Sequence, residues 1–98
     1  MIRVELPGHL KTLAEIQGEV QLQLASPMTL GAALAALEAR FPVLRGAIRD
    51  HGTLKRRAFV RYYACEEDYS LKGPDTPLPE AIIEGREPLI ILGAVAGG

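Results

Sequence analysis

Residues 88–98 read Pro-Leu-Ile-Ile-Leu-Gly-Ala-Val-Ala-Gly-Gly, and this closing stretch decides how the rest of the chain is interpreted. The apolar run at residues 89–92 is short and has no polar alternation, which indicates a buried strand in the middle of a sheet. The small residues after it contain no turn signal that would bring the chain back. We therefore predict one folded domain over residues 1–93 and a flexible tail over residues 94–98 that projects into solvent.

The tail is a candidate functional segment because of what its residues lack. Glycine has no Cβ, so a backbone that ends in two glycines can pass into a narrow site. The only reactive group that this tail carries is the α-carboxylate of Gly98. A frayed terminus without a role is the alternative interpretation, since the ends of most domains are poorly ordered.

The composition is that of an ordinary globular protein. Its 98 residues allow one domain with a modest core, and 48% of them are hydrophobic and 23% charged. A net charge of −1 gives no general attraction to nucleic acid or to membranes. The single cysteine, Cys65, excludes an internal disulfide and a cysteine-based zinc site. With no signal peptide and no apolar run of membrane-spanning length, we expect a cytoplasmic protein.

The positive charges are concentrated in one part of the chain. Seven of the eleven Lys and Arg residues lie between positions 40 and 61. Such a basic strip could contact phosphate. We favour the simpler interpretation of solvated helix and strand faces, because the strip lacks the polar and glycine pattern typical of RNA binding.

Apolar periodicity predicts the main elements. Alternation predicts strands near residues 2–6, 20–24 and 55–65. An amphipathic helix begins after Thr29, a good N-cap, and ends before Pro42. We expect a further turn after the helix, anchored by Leu44 and Ile48. Residues 9–17 should form a loop with a helical turn. A short strand near residues 69–71 should lie within a long loop, followed by turns at residues 78–85.

The third predicted strand has two different faces. We expect its core face to carry Ala58, Val60, Tyr62 and Ala64. The opposite face presents Phe59, Arg61 and Tyr63, followed by a partly buried Cys65. Aromatic and Arg side chains are enriched at protein interfaces, so Phe59, Arg61 and Tyr63 form a possible partner face, with edge packing as the alternative.

The order strand, strand, helix, strand, loops, strand indicates an α+β domain with two layers. If the first and last strands run parallel at the centre of the sheet, the fold is a β-grasp (ubiquitin-like) fold. It would have a mixed sheet of four to five strands with one main helix packed on one face. A ferredoxin-like arrangement is less consistent with the sequence, because only one helix is clear.

These features resemble the MoaD/ThiS family of ubiquitin-like sulfur carrier proteins. The matching residues are Thr29 and the Phe-Pro pair at residues 41–42 around the helix, the acidic strand end at residues 62–68, the turn at residues 84–87 and the terminal Ala-Val-Ala-Gly-Gly. Three positions depart from the family pattern. Cys65 stands where Asn is common, Gly93 replaces the usual Pro, and Pro88 must lie at a strand start or at an unpaired edge position.

The resemblance implies a carrier rather than an enzyme. An E1-like adenylating enzyme would use ATP to convert the carboxylate of Gly98 into an acyl-adenylate, and a persulfide donor enzyme would replace AMP to leave a thiocarboxylate. A sulfur-accepting synthase of the molybdopterin, thiamine or cysteine type would then take the sulfur. The threading residues implied are Gly97, Ala96, Val95 and Ala94.

The resemblance also implies no bound cofactor, no metal and no catalytic side chain, although such a carrier can be the small subunit of a molybdopterin synthase-like complex. His9 and His51 lie beside glycines, and we expect both in exposed loops, with Cys65 passive. The alternative function is a β-grasp interaction module or a ubiquitin-like modifier without a role in sulfur donation.

Overall fold

The computed structural model describes residues 1–93, and the predicted tail at residues 94–98 lies outside that range. The strands are β1 (Ile2–Glu5), β2 (Val20–Leu22), β3 (Val60–Ala64), β4 (Glu67–Asp68) and β5 (Leu89–Gly93). The helices are α1 (Gly8–Ala14), α2 (Leu30–Arg40) and α3 (Glu80–Ile83), with a 3-10 turn at Pro42–Leu44.

The five strands form one mixed sheet in the order β2-β1-β5-β3-β4. β1 and β5 run parallel, with Val4 opposite Leu89, and the other neighbours are antiparallel. The predicted central position of the last strand and its parallel partner are therefore confirmed. So is the α+β, β-grasp-like fold, with α2 as the main helix.

The sheet is covered on one face only, as predicted, so the apolar run of β5 is buried on that face alone, which corrects the expectation of a wholly buried strand. Leu89 and Ile91 are fully buried, whereas Leu92 is 48% exposed and Ile90 half-buried. A continuous apolar run normally indicates a strand buried on both faces. Here the run is apolar on both sides, but the helices pack on one side alone. Pro88 lies just before β5, at the strand start where a proline is tolerated.

Helix α2 supplies much of the core and starts where the sequence predicts. The hydroxyl oxygen of Thr29 accepts a hydrogen bond of 3.1 Å from the backbone N–H of Ala32, as an N-cap does. The helix buries Leu30, Ala33, Leu34 and Leu37 against the sheet. Beyond the helix, Leu44 and Ile48 are fully buried and anchor the following turn, as predicted.

The third strand is shorter than predicted. It begins at Val60, because the chain before it is held in a turn: the N–H of Val60 donates to the carbonyl of Arg57, and the guanidinium of Arg56 donates to the carbonyls of Arg57 and Val60. Ala58 is consequently exposed rather than in the core. Val60, Tyr62 and Ala64 are buried, as the alternation predicts.

Other local expectations also need correction. Residues 8–14 form a regular helix rather than a loop with a single turn, and a second short helix lies at Glu80–Ile83. The short strand pairs at Glu67–Asp68, slightly before the expected position. Cys65 is exposed rather than partly buried, because it lies in the tight turn between β3 and β4, where its φ is 51°.

A buried ion pair joins α2 to the segment that follows it. Arg49 donates to both carboxylate oxygens of Glu38, at 3.0 and 2.7 Å. The sequence had placed Arg49 on a solvated strip, but both residues are buried. Removing one partner of such a pair leaves an uncompensated buried charge, which makes the pair a strict local constraint.

The structure contains no candidate transmembrane helix within residues 1–93.

The packing of α2 predicts a clear stability difference. Leu37→Ala removes a side chain with 0% exposure and should lower the free energy of unfolding by about 2–5 kcal/mol. Leu13→Ala changes an exposed leucine on α1 and should alter it by no more than about 0.5 kcal/mol. Urea unfolding followed by circular dichroism measures both. Equal effects would show that α2 does not carry the core.

Candidate functional site at the end of the central strand

The candidate site lies where the described chain ends, at the last residue of β5. β1 runs parallel to β5, so the segment that follows β1 reaches the same edge of the sheet as Gly93. The side chains of Pro7 and His9 lie against Gly93 there. On the other side, Gly93 is opposite Val60 of β3.

An open groove of about 490 Å³ borders this point on the sheet face not covered by α2. Two of its apolar side chains are strongly exposed, Phe59 at 60% and Leu92 at 48%. The groove is lined by Pro7, Ala58, Phe59, Arg61, Leu92 and Gly93. Exposed apolar surface rimmed by polar residues is typical of protein-interaction sites.

The structure brings only part of the predicted site together. Phe59 and Arg61 both line the groove, with Arg61 opposite Leu92 in the neighbouring strand. Phe59 lies in the turn before β3 rather than in the strand. Tyr63 is half-buried further along β3, opposite Ile90, and does not line the groove. The predicted tail residues Ala94, Val95, Ala96, Gly97 and Gly98 lie outside the described residues.

The His9 ring lies so close to Gly93 that residue 93 has no room for a side chain. A Cβ at Gly93 would lie 2.8 Å from Cε1 and 3.3 Å from Nε2 of His9. Since proline also has a Cβ, the proline usual in the family would meet the same obstruction. His9 is exposed, as expected, but it lies on α1 rather than in a loop, and its ring covers the end of the central strand.

Pro7, His9 and Leu92 were missed as site residues by the sequence analysis. A signal for Pro7 and His9 was present, because the predicted parallel pairing of β1 with β5 brings whatever follows β1 close to the end of β5. Leu92 was assigned to a buried strand. Its exposure follows from the single helical layer.

Charges of both signs flank the open face. Asp68 of β4 has a pKa below its ordinary value, because the hydroxyl and the backbone N–H of Ser70 hydrogen-bond its carboxylate, the latter at 2.7 Å, with smaller contributions from Arg61 and Arg56. Asp68 is therefore a carboxylate at neutral pH. In the described part of the chain, no three His, Cys, Asp or Glu side chains come together as a possible metal site.

The contact between His9 and Gly93 predicts a coupled effect of substitution. Ala is favoured over Gly in a strand by roughly 0.5–1 kcal/mol, so Gly93→Ala should stabilise a His9→Ala background. In the parent the gain should vanish or reverse, because the new methyl group displaces the His9 ring. A double-mutant cycle by urea unfolding measures the difference. Equal effects in both backgrounds would contradict the contact.

Solved structures resemble this chain over nearly its whole length. SAMP1 from Haloferax volcanii superposes with a TM-score of 0.75 at 19% identity, covering 98% of this chain and 97% of its own. A chain of the Amycolatopsis orientalis BexX/CysO complex gives 0.74 at 23% identity, with complete coverage (100%) of both chains. Mycobacterium tuberculosis CysO, described as an antigen, gives 0.72 at 28% identity, covering 97% and 100%.

Neither protein-family models nor curated protein sequences give a match. The structural matches therefore rest on the shared arrangement of elements, which extends over both chains with almost nothing added in either. The chain is thus a β-grasp protein similar, over nearly its full length, to the ubiquitin-like sulfur carriers of the MoaD/ThiS family, as its sequence indicated.

Proposed function

We propose that this protein is a sulfur carrier that acts through the carboxylate of Gly98. One observation carries the proposal: the central strand β5 runs directly toward the Gly-Gly end and finishes at Gly93 beside an open apolar groove. The last residue of β5, from which the chain continues to Gly98, therefore lies beside a surface on which a partner can dock. The resemblance to CysO and SAMP1 in fold and length supports it.

The chemistry follows from the low reactivity of a carboxylate. In the active site of an E1-like partner, an oxygen of the Gly98 carboxylate attacks the α-phosphorus of ATP, and pyrophosphate leaves. The terminal sulfur of a persulfide enzyme then attacks the acyl carbon, and AMP leaves. A second thiol of that enzyme cleaves the S–S bond, which releases the thiocarboxylate and leaves a disulfide on the donor enzyme. The carrier binds no cofactor, and ATP belongs to the partner.

The groove supplies the specificity in this proposal. Phe59 and Leu92 dock the domain on the adenylating enzyme while residues 94–98 enter its active site. Small side chains at Ala94, Val95, Ala96 and Gly97 suit a narrow channel, because close backbone approach requires little side-chain bulk. One relative was crystallised in a BexX/CysO complex, which supports a protein partner for this chain also.

The sulfur acceptor in this proposal is a synthase of the molybdopterin, thiamine or cysteine type. The protein is then a carrier and co-substrate, or the small subunit of a synthase complex, and has no catalytic side chains of its own. Ubiquitin-like conjugation to lysine is the second candidate. It is favoured by the similarity to a protein described as small archaeal modifier protein 1, with a TM-score of 0.73 at 16% identity.

Intact mass spectrometry tests the carrier function directly. After incubation with an adenylating enzyme, ATP and a persulfide donor, the C-terminal peptide should gain the mass difference between sulfur and oxygen. A variant lacking residues 97–98 should keep its mass and its thermal stability. A free carboxylate in the presence of a competent enzyme would overturn the proposal, and an adduct on a partner's lysine would favour the modifier.

The docking role of the groove predicts a selective kinetic effect. Phe59→Ser should raise the KM for carrier in an ATP–pyrophosphate exchange assay roughly tenfold, since exposed aromatic anchors dominate many interfaces. Leu71→Ser is the matched control, because Leu71 is 87% exposed and does not line the groove. Its KM should stay within about twofold. Equal effects of the two substitutions would show that the groove does not dock the partner.

A further inference from the structure

One buried polar atom is unexplained by the packing described above. Tyr62 of β3 points into the core and is 3% exposed, and its hydroxyl has no hydrogen-bond partner among residues 1–93. Burial raises the pKa of Tyr62 to about 12, so the hydroxyl keeps its proton at physiological pH. Buried polar groups are almost always hydrogen-bonded, so an unpartnered one calls for a partner outside the protein, either ordered water or a ligand.

Tyr62 borders a cavity of about 110 Å³ on the face of the sheet that α2 covers. Its wall is partly apolar, from Leu30, Leu34, Leu54 and Pro74, and partly cationic, from Arg49, Arg56 and Lys72. Every side-chain polar group in this wall can donate a hydrogen bond, and no carboxylate lines it. Three cationic side chains and a hydroxyl, with no carboxylate among them, favour an anion.

The two arginines have donors to spare. Arg49 donates from Nε and Nη2 to Glu38, so the N–H groups of Nη1 remain available to a ligand. Arg56 donates from Nε to the carbonyl of Ser70 at 2.8 Å, and from Nη1 to the carbonyls of Arg57 and Val60. All of these acceptors are neutral carbonyl oxygens. Within the described residues, they fix the position of the Arg56 guanidinium, and no carboxylate pairs with its charge.

The acidic side chains near the cavity are paired with other groups and do not line it. Glu38 accepts both hydrogen bonds of the buried pair with Arg49, and Glu67 pairs with Lys72 at 3.1 Å. Asp68 is hydrogen-bonded to Ser70. Three cations thus face the cavity, while the Glu38 and Glu67 carboxylates lie beyond its wall and offset only two of them.

We propose that this cavity binds a small tetrahedral oxyanion, either free phosphate or sulfate or the phosphate of a nucleotide. Tyr62, Arg56 and Lys72 would donate to its oxygens, with Arg49 behind them. The volume exceeds the roughly 10–15 Å³ that one water needs in a cavity, and several charge-assisted hydrogen bonds can form at once. The site lies on the opposite face of the sheet from the groove. The proposed anion binding therefore does not depend on the carrier function.

The test is a titration of the full chain at constant ionic strength, with chloride as the balancing anion. Phosphate should shift the NMR signals of the Tyr62 ring and of the Arg56 Nε–H saturably. Tyr62→Phe and Lys72→Met should each weaken binding roughly tenfold. Lys55→Met is the matched control, because Lys55 is exposed and does not line the cavity, and it should bind as the parent does. Binding of phosphate and sulfate but not AMP identifies a free anion, and tighter binding of AMP identifies a nucleotide.

A stability measurement provides the second readout. In chloride, Tyr62→Phe should melt at or above the temperature of the parent, because it removes only a buried hydroxyl without a partner. Phosphate should raise the melting temperature of the parent more than that of Tyr62→Phe. Equal shifts in both proteins, unsaturable NMR changes, or equal losses in Lys72→Met and Lys55→Met would each overturn the site.

Discussion

The pairing of β5 between β1 and β3 is the constraint on which the remaining structure depends. It brings together the first, third and last strands, which are far apart in sequence. The parallel contact with β1 places Pro7 and His9 at Gly93, and the antiparallel contact with β3 places Arg61 beside Leu92. Strand pairing thus brings the parts of the groove together: Arg61, Leu92 and Gly93 lie on paired strands, and Pro7 and the turn with Phe59 lie at the ends of those strands.

Much of the fold could be predicted from residue patterns because its signals are local. The cap at Thr29, the apolar spacing along α2 and the unbroken run of β5 each act within a few residues. The start of β3 could not be predicted, since it depends on hydrogen bonds from the Arg56 guanidinium to carbonyls further along the chain. The burial of Arg49 likewise depends on Glu38, a partner on another element.

The candidate site was less predictable than the fold. Strand alternation identified Phe59 and Arg61, although the strand itself begins one residue later than Phe59. The contact of His9 with Gly93 needs the register of a parallel pair, which no single stretch of sequence encodes. The Tyr62 hydroxyl was correctly placed inward, but its lack of a partner emerges only when the surroundings of each atom are known.

The short outer strand β4 has a consequence for how the molecule behaves in solution. Its two residues, Glu67 and Asp68, are acidic and exposed, and they form one rim of a sheet that also exposes apolar side chains. A long, uncharged rim would offer its free backbone groups to another copy and lead to strand-to-strand aggregation. Two carboxylates on so short a rim repel such a copy. A rim this short and acidic therefore disfavours the pairing of two copies along this side of the sheet.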